Sequence, residues 1–150
     1  MRTTAKADYA VRAAVELAAA GGLVTAEHIA QVQGIPLNFL ENILRDLRRA
    51  GVVESRRGQQ GGYSLARRAD EISIADVIRA VEGPLANVRG YPPEDLEYGG
   101  ASVVLRDVWV ALRANVRNVL ERVTLADVAS GELPEHVRVL TRDADAWVRR

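Results

Sequence analysis

The side chains in this sequence that could do chemistry are suited to hydrogen bonding and charge rather than to making bonds. Cysteine is absent, which removes a thiol nucleophile, a thiolate metal site and a disulfide framework together. The two histidines, His28 and His136, lie far apart along the chain, and no Ser/His/Asp set declares itself. The glycine-rich run Gly58-Gln59-Gln60-Gly61-Gly62 lacks the Lys-Ser/Thr ending and the following helix of a phosphate-cradling P-loop. No enzyme, metal or other cofactor is expected. What remains is Asn38 and Glu41, three residues apart, then Arg45, Arg48 and Arg49, then Arg56-Arg57 beside the glycines. Asn pairs with adenine edges, Glu accepts from cytosine N4, and arginines hold phosphates. These are side chains suited to double-stranded DNA.

The elements that would position them can be read around this set. Thr25 is a good cap for a short helix with Ala26, Ile29, Ala30 and Val32 as its apolar positions, ending at Gly34. Pro36 supplies a pre-set first residue for a second helix, whose buried stripe is Leu37, Leu40, Ile43, Leu44 and Leu47 and whose stop is Gly51. That stripe leaves Asn38, Glu41, Asn42, Arg45, Arg48 and Arg49 outward. The first turn of such a helix is where a recognition helix meets base edges. Val52-Val53-Glu54-Ser55 and Tyr63-Ser64-Leu65 read as strands around a loop whose glycines let the backbone lie close to a surface. Upstream, Thr3 or Thr4 caps a helix bearing Tyr9, Ala10, Ala13, Ala14, Leu17 and Ala18, closed by Gly21-Gly22. Lys6 sits near its N-terminus, against the helix-dipole preference, as a lysine kept for a phosphate would.

Charge is partitioned along the chain. The net charge is zero, with 20 basic and 20 acidic residues. Residues 1–68 hold 10 Lys and Arg against 6 Asp and Glu, whereas residues 69–150 hold 10 against 14. A front half at +4 and a back half at −4 fit a chain that meets phosphate with one end. No apolar run reaches the roughly 18–20 residues of a membrane span, and no signal-peptide core follows Met1, so a cytoplasmic location is expected.

Downstream, Ser73 is set to cap a helix with Asp76 at its third position, with Ile74, Val77, Ile78 and Val81 turned inward and Gly83-Pro84 as the stop. Residues 84–101 are irregular and too long for a plain connector. Their Glu94, Asp95 and Glu97 are hard oxygen donors. Ser102 is expected to cap the longest helix, on which Leu105, Trp109, Leu112, Val116, Val119 and Val123 recur at spacings of 4, 3, 4, 3 and 4. A helix lying on its own core and a helix pairing with a second copy share this spacing. Trp109 is expected to be the most buried of the set, or else to line a ligand pocket. Thr124 with Asp127 three residues on marks a further short helix ending at Ser130-Gly131. The tail offers one more apolar stripe, helical from Thr141 onward.

Taken in series, these segments carry a resemblance. Tyr9-Ala10-Val11-Arg12-Ala13, Gly34-Ile35-Pro36, Phe39-Leu40-Glu41-Asn42-Ile43-Leu44, Leu47-Arg48-Arg49-Ala50-Gly51-Val52-Val53 and Arg57-Gly58 followed by Gly61-Gly62-Tyr63-Ser64-Leu65 are similar to the IscR/NsrR winged-helix transcription regulators, the Rrf-two family. Glu71 to Pro84 and Thr124-Leu125-Ala126-Asp127-Val128 continue the match, which covers roughly residues 1–130. The resemblance implies a mainly α fold with a two-stranded β wing and a long dimerisation helix. It divides the chain into a winged helix-turn-helix at 1–83, a loop at 84–101, the dimerisation helix with the short helix after it at 102–130, and a tail at 131–150 outside the match. It implies a sequence-specific DNA-binding regulator, a homodimeric repressor on a pseudo-palindromic operator. Its DNA contacts would be Thr3, Lys6 and Tyr9 on the first helix, Asn38, Phe39, Glu41, Arg45 and Arg48 on the recognition helix, and Arg56, Arg57, Gly61 and Tyr63 in the wing. The stripe from Leu105 to Val123 would pair the two copies.

The chain departs from the family pattern in three places. Metal-sensing members carry three cysteines in the segment equivalent to 84–101, which hold an iron–sulfur cluster, and this chain has none. Phe39 stands where tyrosine is usual, and Gln59-Gln60 where Pro-Gly is usual, which points to altered contacts. A competing reading is a winged-helix protein-interaction module that has lost DNA binding; zero net charge and the missing cysteines favour it, while Lys6 and Arg56-Arg57 oppose it. A small apolar or anionic effector is a further candidate partner, between the helix after the wing and the Trp109 helix, where Arg89, Arg106 and Arg113 lie close in sequence.

Overall fold

The computed structural model describes residues 2–149, and Met1 and Arg150 lie outside the described residues. Most helix starts are fixed by caps carried in the local sequence. Thr4 begins α1 (Ala5–Ala20), its hydroxyl accepting from the Ala7 amide at 3.1 Å. Thr25 begins α2 (Ala26–Gln33) in the same way, accepting from His28. Helix α3 (Leu37–Arg49) has no side-chain cap; Pro36 sits just outside its first turn, at φ −58° and ψ 127°, rather than as its first member. The chain then passes Gly51 at φ 75° into β1 (Val53–Arg56), which pairs antiparallel with β2 (Gly62–Leu65), Val53 opposite Leu65 and Arg56 opposite Gly62. Reciprocal capping boxes, Ser73 with Asp76 and Thr124 with Asp127, begin α4 (Ile74–Glu82) and α6 (Leu125–Ser130). Between them lie 3₁₀ turns at Pro93–Asp95 and Gly100–Ser102 and then α5 (Leu105–Leu120). Helix α7 (Glu135–Arg142) follows, and a 3₁₀ turn at Ala144–Trp147 comes after it.

Helix α1 is the centre of the packing. Ala10, Ala13 and Ala14 are fully buried, and side chains this small let the backbones of α3, α4 and α6 approach it. Leu40, Ile43, Leu44 and Leu47 of α3 close the core from one side, and Ile72, Val77 and Leu125 from the other. Each such side chain contributes about 1.5–3 kcal/mol by leaving water. The chain after α5 is tied back by two backbone bonds, Ile74 N–H to Val123 O and Leu125 N–H to Ile72 O, both 2.9 Å. Among the described residues no helix is long and apolar enough to cross a membrane.

Several expectations are corrected. Ser102 does not cap α5: it lies in the preceding 3₁₀ turn, and the α-helix starts at Leu105 after Val104 with no side-chain cap. Nor is α5 the longest helix, since it matches the 16 residues of α1. Val32 and Leu37, expected inward, are exposed at 52% and 37%; each sits at a helix end, Val32 in the last turn of α2 and Leu37 as the first residue of α3. The tail helix starts directly after Pro134 and ends at Arg142, so Thr141 lies in its last turn rather than at its start.

Candidate nucleic-acid interface

The first turns of α3 present Asn38, Phe39, Glu41 and Asn42 to solvent, with Phe39 59% exposed. Its ring is left open at the helix start and lies outside the core clusters. Asn42 organises its neighbours: its amide donates to the Asn38 carbonyl at 3.1 Å, and its oxygen accepts from Arg45 at 3.0 Å. Further along, Arg48 donates to the Ser55 hydroxyl at 3.0 Å, joining α3 to the first wing strand. The sequence reading missed Ser55 and Asn42 as positioning residues. Nothing in a linear pattern pairs positions 48 and 55.

The wing is shaped by two glycines. The Gly61 amide bonds to the Gly58 carbonyl at 3.0 Å and closes the tip. A Cβ on Gly61 would sit 2.1 Å from the Arg56 carbonyl oxygen, and one on Gly62 would sit 2.7 Å from that of Val24. That second approach exists because Val24 and Tyr63 exchange both backbone hydrogen bonds at 2.8 Å, holding the wing against the lead-in to α2. The result is a cleft of about 350 Å³ lined by Thr25 at the start of α2, Glu41 and Arg48 of α3, and Arg56, Arg57, Gly61 and Tyr63 of the wing. The side chains of Arg56 and Arg57 are exposed and have no partner among the described residues.

Lys6 and Tyr9 on α1, and Thr3 just before its Thr4 cap, are elsewhere. Lys6 reaches across to Asp46 of α3, Nζ to carboxylate 2.8 Å. The Lys6 hydrogen bond, with Arg49 and Arg45 adding attraction, holds the Asp46 carboxyl below its ordinary value. Tyr9 is half-buried under the Arg12 guanidinium, 5.2 Å from its ring centre. Thr3 is exposed and lines a different cavity, formed with the end of α4.

The stripe expected to pair two copies is divided. Val116 packs on Ala75 and Leu85, and Val123, beyond the helix end, belongs to the main core. Leu105, Trp109 and Val119 are half-buried, and Leu112 is 40% exposed. Trp109 is therefore not the most buried of the set in the single chain; its indole donates to the Tyr98 hydroxyl at 3.0 Å. It also lines a small cavity of about 190 Å³ with Ala86, Asn87, Val88 and Leu112. Val104, Val108 and Leu112 form an open apolar strip along α5.

Two of the three expected effector arginines are taken up by carboxylates. Arg113 is held by Glu94 at 2.5 Å and is only 12% exposed, and this contact depresses the Glu94 carboxyl. Arg106 leans on Asp107 at 3.9 Å.

Comparison with known proteins places this geometry in a family. Residues 3–131 match the family model Rrf2, described as an iron-dependent transcriptional regulator. A provisionally named HTH-type transcriptional regulator of Mycobacterium tuberculosis (strain H37Rv) is 56% identical over 145 residues, covering 95% of this chain and 90% of that protein. The HTH-type transcriptional regulator CymR of Bacillus subtilis is 34% identical, over 87% of this chain and 91% of its own. Its solved structure, described as that of the global cysteine regulator of that organism, superposes with a TM-score of 0.75 at 32% identity, over 87% of this chain and 98% of that one. The structure of T. potens IscR matches with a TM-score of 0.68 at 31% identity, over all of this chain and 93% of that one. The iron in the family description does not fit the donors present. There is no cysteine, no group of three His, Cys, Asp or Glu side chains converges among the described residues, and Glu94 of the 84–101 segment is already committed to Arg113. On fold and relatives alike, the chain belongs to the Rrf2 family and is a DNA-binding transcriptional regulator of the winged helix-turn-helix type.

Proposed function

We propose that the chain acts as a homodimeric repressor in the cytoplasm, reading a pseudo-palindromic operator with α3 and the wing. No catalytic step is part of this reading. The observation that carries it is the convergence of Glu41, Arg48, Arg56 and Arg57 on one cleft, with the two wing arginines unpartnered. Asn38, Phe39 and Glu41 enter the major groove and read bases. Arg45, Arg48, Arg56 and Arg57 hold phosphates, while Gly61 and Tyr63 set the wing's approach. Thr3, Lys6 and Tyr9 flank the backbone around the start of α1. Two copies pair through α5, with Leu105, Trp109, Leu112 and Val119 facing the second copy, while Val116 and Val123 anchor the helix to its own domain. The winged helix-turn-helix at 1–83, the loop at 84–101, the pairing unit at 102–130 and the tail at 131–150 remain the functional division. A two-fold pair sets its recognition helices about 34 Å apart, one turn of the duplex.

Anisotropy titrations on genomic fragments upstream of the chain's own gene, against scrambled duplex, test this. Arg57→Ala is expected to weaken both and, by removing one phosphate neutralisation, to reduce the salt slope by about 0.9. Glu41→Ala is expected to bring the two affinities together. Equal losses on both duplexes from Glu41→Ala would overturn its role in base reading, and no binding by the unaltered protein would favour the interaction-module reading.

A further inference from the structure

Between the start of α1, the end of α4 and residues 84–87 lies a cavity of about 320 Å³. It adjoins an apolar groove with which it shares Ile78, Val116 and Leu120, and which opens along Val11, Ile74 and Val119 towards the α5 face and suits a second copy. The cavity is walled by the chain's own loop. Ile78, Leu85, Val116 and Leu120 give it an apolar floor, while Arg2 and Glu82 bring opposite charges to its lining. Neither of those two has an ion-pair partner among the described residues. One Glu82 oxygen accepts the Thr4 hydroxyl, and an ionised carboxylate retains further acceptor capacity. The loop that closes the cavity holds two non-glycine residues, Ala86 and Arg89, at φ 54°. Backbone kept in that region concentrates at ligand clamps and switch segments.

We propose that this cavity binds an apolar α-amino acid, with its ammonium on Glu82, its carboxylate on Arg2 and its side chain on the Ile78–Leu120 floor. Only a zwitterion with an apolar branch satisfies all three surfaces. A fatty acid sets its carboxylate near Glu82 with nothing for that acid to accept, and an alkylamine leaves Arg2 unmatched. The volume lies in the usual range for small-ligand sites. Occupancy is felt on α1, because Thr4 both caps that helix and bonds Glu82, and Lys6 two residues on holds Asp46 of α3. This coupling rests on the DNA reading above, whereas the binding itself does not.

The test titrates L-leucine, 4-methylpentanoate (no ammonium) and 3-methylbutylamine (no carboxylate) into the full chain by calorimetry, with the Ile78 methyl followed by NMR. L-Leucine is expected to saturate and to shift Ile78, and each analogue is expected to bind about tenfold more weakly, as is L-leucine to Glu82→Gln. No saturation by millimolar L-leucine, L-isoleucine, L-valine or L-phenylalanine overturns the site. So does equal binding of 4-methylpentanoate, or a silent Ile78 methyl; these readouts use the unaltered protein and do not depend on a variant folding. Operator titrations with and without L-leucine then separate the layers. Leucine binding with unchanged operator affinity overturns the coupling alone, and leucine binding by a chain that ignores DNA overturns the DNA reading alone.

Discussion

Replacing Asp46 by asparagine acts on stability and on DNA binding in opposite directions. The side chain keeps its size and loses its charge, so Lys6 loses an ion pair at 2.8 Å and Arg49 a looser one at 3.8 Å. Both partners are wet, with 44% of the Lys6 side chain and 26% of Asp46 exposed. At that exposure the pair contributes about 0.2–1 kcal/mol, so the melting temperature is expected to fall by no more than about 4 °C. On DNA the sign reverses. A negative charge leaves a helix that carries Arg45, Arg48 and Arg49, and Lys6 becomes free for a phosphate, which steepens the dependence of log K on log salt by about 0.9. Anisotropy titrations from low to physiological salt, on operator and on unrelated duplex, should show tighter binding to both. Weaker binding at an unchanged slope would refute the reasoning, since Asp46 would then be aiming Lys6 at the phosphate rather than withholding it. The acid limb gives an independent check. The folded-state pKa of Asp46 lies below its unfolded value. Its stabilisation is therefore complete above the unfolded pKa of about 3.9 and is lost as pH falls through the depressed folded value. Melting curves of the two proteins should differ at pH 7 and converge only once the pH has fallen below the depressed folded value.

Three further outcomes follow from particular side chains. Gly61→Ala places a Cβ against the Arg56 carbonyl and costs about 1–3 kcal/mol of local crowding; operator titrations should weaken while circular dichroism keeps the helices intact. Leu112→Glu puts a charge in the open α5 strip, and light scattering should show a homodimer dissociating, with an association constant lower by about a hundredfold, or about 2.7 kcal/mol. Leu125→Ala removes a fully buried side chain at about 2–5 kcal/mol, and thermal melts should drop by about 4–20 °C. That last loss tests whether α6 belongs to the winged-helix core.

What was legible in the sequence was whatever is decided within four residues. Thr25, Ser73 and Thr124 mark helix starts because a cap and the amide it satisfies are neighbours, and Gly34 and Gly131 mark ends at positive φ. Ser102 failed by the same logic: it has the cap chemistry, but a 3₁₀ turn intervenes and the α-helix starts past its reach. The a/d spacing after Leu105 holds as a period, and the single chain divides its residues between two surroundings. Periodicity reports which residues share a face, but it does not report that Val116 faces this chain's own α4 and loop while Leu112 faces out. That distinction needs the neighbouring elements in place.

The charges of the candidate interface show the same limit and sharpen the functional argument. Counting residues gives the front half an excess of four cations, but a count treats Lys6, Arg12, Arg45 and Arg57 alike. In the fold, Lys6 faces Asp46 and Arg12 faces Asp8, so their charge is balanced inside the chain. Arg45 and Arg48 are held instead by neutral acceptors, the Asn42 amide oxygen and the Ser55 hydroxyl. A neutral partner restricts the guanidinium's rotamers without cancelling its charge, which lowers the ordering cost when a phosphate arrives. The unpartnered Arg56 and Arg57 sit on the wing, where the backbone of Gly61 and Gly62 already fixes the approach. The arginines that line the cleft, Arg48, Arg56 and Arg57, are therefore those without an ion-pair partner among the described residues, and this, rather than net charge, favours DNA over a protein partner.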